Sequence, residues 1–140
     1  MSKIAIVYWS GTGNTEAMAN KVLSGAQAAG AETEIFTAAE FAGDKMANFD
    51  AVAFGCPSMG SEQLEESEFE PMFSGCIGGL KGKKIGLFGS YGWGDGEWMR
   101  TWEAQCREAG AELVSAGVIC NEAPDAAAEA NCEALGRALA

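Results

Sequence analysis

Histidine is absent from all 140 residues. The chain therefore lacks the one side chain whose unperturbed pKa suits proton shuttling near neutrality, and it lacks the commonest metal ligand. Hydrolases and metalloenzymes are disfavoured. Positive charge is scarce too: nine Lys and Arg stand against twenty Asp and Glu, a net charge of -11. Nucleic acid and anionic membrane surfaces would be repelled, whereas a basic protein partner would be attracted. The five cysteines (Cys56, Cys76, Cys106, Cys120, Cys132) are odd in number and contain no C-x-x-C pair. Neither a disulfide framework nor a zinc or iron-sulfur site is indicated, and the thiols are expected to be reduced packing residues. No apolar run approaches the roughly 18 residues a membrane span needs, and no basic-then-apolar secretory leader opens the chain. A cytoplasmic protein is expected.

What is present is a regular alternation. Four short apolar runs, Ile4 to Trp9, Ala51 to Cys56, Ile85 to Gly89 and Leu113 to Cys120, read as strands, with a weaker candidate at Glu34 to Thr37. Near-continuous apolar strands imply burial on both faces. Between them Met18, Val22 and Ala26 mark one helix face; Met99, Trp102, Cys106 and Ala109 mark another. Ala128, Cys132, Leu135 and Leu139 mark a last helix, opened by Pro124 and Asp125. Gly30 and Gly110 stand where two of these helices should stop. The expectation is one α/β domain over residues 1–140, a doubly wound parallel sheet with helices on both faces.

Glycine clusters after three of the strands, and in open parallel sheets ligands bind outside the carboxyl ends of the strands. The first loop, Ser10-Gly11-Thr12-Gly13-Asn14-Thr15, leads from a strand into a helix whose first amides are unpaired. A helix terminus, hydroxyls and an amide can hold a phosphate without a cation. A nucleotide-hydrolysing P-loop would need a Gly-Lys pair that is missing. A dinucleotide fingerprint would need a third glycine where Glu16 stands. The second loop, Cys56-Pro57-Ser58-Met59-Gly60-Ser61-Glu62, carries a methionine that in isolation reads as a core plug. The third, Gly89-Ser90-Tyr91-Gly92-Trp93-Gly94-Asp95-Gly96-Glu97-Trp98, sets aromatics among glycines, and Trp93 reads as a flat surface for a planar ligand.

These three loops, in this order and spacing, resemble those of the flavodoxins, and the pairing of Met59 with Trp93 resembles the short-chain clostridial type. The resemblance implies a five-stranded sheet of order 2-1-3-4-5 holding non-covalent flavin mononucleotide (FMN). By motif, Ser10, Thr12, Asn14 and Thr15 would cradle the phosphate, with Gly11 and Gly13 giving the backbone its bend. Met59 and Trp93 would flank the flavin ring, Pro57 and Ser58 lead into that wall, and Glu62 would meet the pyrimidine edge. Ser90, Tyr91 and Gly92 would complete the ring contacts. Gly60 and Ser61 would span a peptide that flips on one-electron reduction, Ser61 standing where many relatives carry aspartate or asparagine. The implied function is low-potential one-electron transfer between semiquinone and hydroquinone states, by a monomeric carrier serving redox enzymes and not itself an enzyme. An FMN-dependent NAD(P)H or quinone reductase of the same fold is the alternative. The acidic run Glu62 to Glu70 reads either as a solvated face or as a docking surface for basic redox partners.

Overall fold

In the computed structural model, which describes residues 2–140, strands and helices alternate along the chain. The strands are β1 (Lys3–Tyr8), β2 (Glu32–Thr37), β3 (Ala51–Gly55), β4 (Lys84–Tyr91), β5 (Glu112–Leu113) and β6 (Val118–Asn121). The helices are α1 (Asn14–Ala28), α2 (Phe69–Cys76), α3 (Glu97–Glu108) and α4 (Ala126–Leu139). All strand pairs are parallel, in the order β2-β1-β3-β4-β5 with β6 also on β4. The expected order is met. The weak strand candidate is a full edge strand, and its exposure explains its weak apolar signal.

The last strand differs from the continuous run expected over Leu113 to Cys120. Ile85 pairs with Leu113 and Phe88 with Val118, so three steps along β4 face five along its neighbour and two residues bulge out. The break has a tertiary cause. The Gly117 amide donates to the Glu103 carboxylate at 2.6 Å, and Gly117 lies against Met99 so closely that a side chain there would overlap its sulfur.

Alternation along β1 sends side chains into two cores. Ile4 and Ile6 pack with Met18, Val22, Ala26, Cys132, Leu135 and Leu139 beneath α1 and α4. Ala5 and Val7 face Phe54, Phe69, Phe73, Trp98 and Trp102 beneath α2 and α3. The second core is built on edge-to-face aromatic pairs, Phe54 with Phe73 at 5.1 Å and Phe69 with Trp102 at 5.4 Å. The three helix faces expected from spacing are the buried ones, apart from the half-buried Ala109 that follows α3. Gly30 and Gly110 end α1 and α3 with φ of 90° and 88°. On the other side, α1 and α4 cross in backbone contact: a side chain at Gly25 would overlap the Glu133 carbonyl, and one at Gly136 the Val22 carbonyl.

Four cysteines are buried and Cys120 is half-exposed. Burial pushes the Cys56, Cys106 and Cys132 thiols up to about 12 and Cys76 up to about 11. Such thiols stay protonated and unreactive, as packing residues should.

Candidate functional site

The chain leaves β1 to build β2 on one side and returns to build β3 on the other, so a crevice opens where the carboxyl ends of β1 and β3 diverge. There lies a cavity of about 220 Å³. Eleven of the residues singled out from the sequence line it: Ser10, Gly11, Thr12, Asn14, Thr15, Pro57, Ser58, Met59, Ser90, Tyr91 and Gly92. Trp9 and Glu122 complete the wall. Gly13, Gly60, Ser61, Glu62 and Trp93 are not part of it.

At the first loop, Gly13 takes the N-cap position of α1 with φ of 95° and no side-chain cap. The Ser10 hydroxyl accepts from the Gly13 amide at 3.0 Å and the Glu16 amide at 3.3 Å, and the Thr12 hydroxyl from the Asn14 amide at 3.4 Å. The loop is thus folded over itself by its own hydroxyls. Thr15 is the exception. It is 1% exposed, lines the cavity, and its Oγ1 has no hydrogen-bond partner. A buried hydroxyl with no acceptor is costly unless something enters to satisfy it.

The second loop is a small hairpin. Met59 and Gln63 exchange both backbone hydrogen bonds at 2.8 Å, closing a turn of Gly60, Ser61 and Glu62. Gly60 has φ of 55° and open space where a side chain would go, so replacing it meets conformational strain alone. Gly60→Ala should lower the unfolding free energy by about 1 kcal/mol; an unchanged urea midpoint would count against a left-handed turn. Met59 stays 37% exposed on the hairpin rim. It is no core plug.

The hairpin's base is fixed by Cys56. Its carbonyl accepts from Trp98 Nε1 at 3.1 Å and its thiol from the Glu65 amide at 3.3 Å. Trp98, which by sequence belonged to the third loop, is therefore a core residue. Glu65 corrects the reading of the acidic run as a surface. It is 6% exposed, and its carboxylate accepts from the Ser67 hydroxyl and from the amides of Ser67 (2.9 Å), Glu68 (2.8 Å) and Phe69 (2.9 Å). Burial alone would raise its pKa, but these donors outweigh it and hold the group at about 2. Glu62 is half-buried, Glu66, Glu68 and Glu70 are exposed, and Glu68 accepts from Trp9 Nε1 at 3.0 Å, steadying that wall of the cavity.

The third loop hangs from β4. The Ser90 hydroxyl donates to the Glu122 carbonyl at 2.6 Å, the Glu122 amide donates to the Tyr91 carbonyl at 2.9 Å, and the Ser58 amide donates to the Ser90 carbonyl at 3.0 Å. Trp93 lies beyond the cavity, 63% exposed. Glu62 reaches α3, where its Oε1 accepts from the Glu97 amide at 3.1 Å. Two lining residues escaped sequence reading. Trp9 directly follows β1, and its place at the ligand edge was the available signal; Glu122 follows β6 at the same edge, in a segment without glycine to mark it.

Comparison with known proteins agrees with this geometry. The flavodoxin family model matches residues 6–135. The flavodoxin of Megasphaera elsdenii is 50% identical over 137 residues, covering 98% of both chains, and that of Clostridium beijerinckii is 43% identical over 135 residues, covering 96% of this chain and 97% of the other. The solution structure of two-electron reduced Megasphaera elsdenii flavodoxin superimposes with a TM-score of 0.89 at 50% identity, covering 97% of each chain. With the switch-point cavity, the sheet order and the three loops all in place, the chain belongs to the flavodoxin family.

Proposed function

We propose that this chain is a low-potential electron carrier whose FMN lies in the switch-point cavity with its phosphate at the first loop, and that it serves other redox proteins without being an enzyme itself. The observation that carries the phosphate assignment is the orphaned Thr15 hydroxyl at the uncapped end of α1. A dianion there would satisfy the hydroxyl and meet the partial positive charge of the helix. Ser10, Thr12 and Asn14 line the same end of the cavity. Met59 and Trp93 are assigned to the two ring faces, Pro57, Ser58, Ser90, Tyr91 and Gly92 to the ring surroundings, and Glu62 to the pyrimidine edge, with Gly60 and Ser61 as the adaptable turn between. Gly11 and Gly13 shape the bend.

FMN, when bound, supplies a centre that takes up and releases electrons one at a time. The chain's part is electrostatic. A net charge of -11 surrounds any charge gained in reduction, each carboxylate at ~10 Å costing roughly 0.4 kcal/mol before screening. Reduction is made harder, and a low potential follows. The reductase reading finds less support: Trp93 is already assigned to one ring face, where a second substrate would have to stack.

Anaerobic stepwise reduction of the FMN-loaded protein should resolve two separated one-electron waves, with no steady-state NAD(P)H oxidation. A single two-electron wave, or sustained turnover, would favour the reductase. Exposed Glu66, Glu68 and Glu70 lie beside the site, which supports docking of basic partners by a cytoplasmic monomer. Electron transfer to a basic partner should slow as ionic strength rises; a salt-independent rate would remove that role from the acidic segment.

A further inference from the structure

Among the described residues, two that are not glycine adopt a left-handed backbone, and both are glutamates: Glu62 with φ of 54° and Glu122 with φ of 58°. Strained non-glycine conformations persist where surrounding contacts over-determine them. The two lie on different segments, one in the hairpin after β3 and one after β6, yet both carboxylates end on the same short stretch, Gly92-Trp93-Gly94. A Cβ at Gly94 would lie 2.5 Å from the Glu62 carboxyl carbon, and one at Gly92 would lie 3.3 Å from Glu122 Oε1. The two glycines leave the room that the two carboxylates fill.

Each glutamate is itself fixed. Glu62 is held by the Glu97 amide through Oε1, at 3.1 Å, and by the Met59–Gln63 closure around it. Glu122 is held by its amide on the Tyr91 carbonyl and by Ser90 on its own carbonyl. Beyond Gly94, Arg100 grips Asp95 through the carbonyl at 3.0 Å and the carboxylate at 2.9 Å. Trp93 itself is 63% exposed and takes part in no aromatic pair among the described residues. Its placement must come from its neighbours.

We propose that Glu62 and Glu122 are positioning residues whose carboxylates bracket Gly92 and Gly94 from two sides and thereby hold Trp93 as an aromatic wall of the cofactor slot. The inference rests on the FMN reading for what the wall faces, while the bracket is a property of the chain alone. Glu122 acts through the loop backbone, and its strained φ is the cost of aiming its side chain at Gly92.

Glu122→Gly separates this role from a merely structural one, because glycine adopts the left-handed backbone without strain while the carboxylate is lost. In the full chain free of cofactor, the backbone order parameters of Gly92, Trp93 and Gly94 should fall while the urea midpoint does not. With FMN titrated in, the dissociation constant should rise roughly three- to tenfold, the cost of ordering a loosened wall. Glu122→Gln keeps the length and an acceptor oxygen and should behave as the parent. Parent-like order and affinity in Glu122→Gly, or equal loosening in Glu122→Gln, would overturn the bracket. Failure of the parent to take up FMN would instead sink the functional reading, and the order parameters would still decide the bracket.

Discussion

Thr15→Val should weaken FMN binding by roughly ten- to a hundredfold while leaving the cofactor-free protein at least as stable as the parent. The two halves of this expectation share one cause. Without ligand, Thr15 Oγ1 is buried and unpartnered, so the parent carries a desolvation cost of about 1–3 kcal/mol that a methyl group of nearly the same shape removes. With phosphate present, the hydroxyl donates a charge-assisted hydrogen bond of about 1.5–3 kcal/mol that valine cannot make. Helix propensity changes little between the two β-branched residues. Riboflavin, which lacks the phosphate, supplies the control. Isothermal titration should give equal riboflavin affinities for parent and variant, and chemical unfolding of the cofactor-free forms should show no loss. Equal FMN affinity, or a parallel loss of riboflavin binding, would place the phosphate elsewhere.

Glu65→Gln should lower the unfolding free energy at neutral pH by about 3 kcal/mol. The folded carboxylate sits at about 2 against an ordinary value of 4.5, a difference of ~2.5 units at ~1.4 kcal/mol each. Because the folded value is the lower one, this stabilisation is fully present above about 4.5 and is lost as pH falls through about 2. The glutamine variant lacks it at every pH, so the gap between the two proteins should be widest near neutrality and should narrow in acid. Geometry makes the substitution worse than neutralisation: two carboxylate oxygens serve four donors, and an amide nitrogen turned toward backbone N–H groups would repel them. Urea titrations at several pH values read both effects. A variant of parental stability at neutral pH would mean that the carboxylate is not what holds the start of α2.

Sequence and structure agree where burial leaves a local trace. Interior strands β1, β3 and β4 are shielded on both faces, so their runs are nearly unbroken, and the first and last helices show their buried faces as three- and four-residue spacing. The place of the first loop on the cavity is legible because a helix start and its glycines must be adjacent in sequence. The remainder depends on how the chain folds back on itself. The split between β5 and β6 is imposed by Met99 and Glu103 of α3, and the burial of Glu65 by the fold of its own loop, so an acidic string gives no warning of it. Phe69, Met72, Phe73 and Cys76 carry the spacing of α2, but the helix is short and Pro71 obscures it. Glu122 reaches the cavity only because β6 ends beside β4.

The crossing of α1 and α4 bears on the order of synthesis. Gly25 meets Glu133, and Gly136 meets Val22, so the helix that follows the first loop has its outer neighbour made far later by the ribosome. That loop is made well before the helix that braces it. A nascent chain lacking α4 exposes Met18, Val22 and Ala26 and leaves Thr15 on an unsupported helix. Bracing of the first loop is thereby tied to the synthesis of α4.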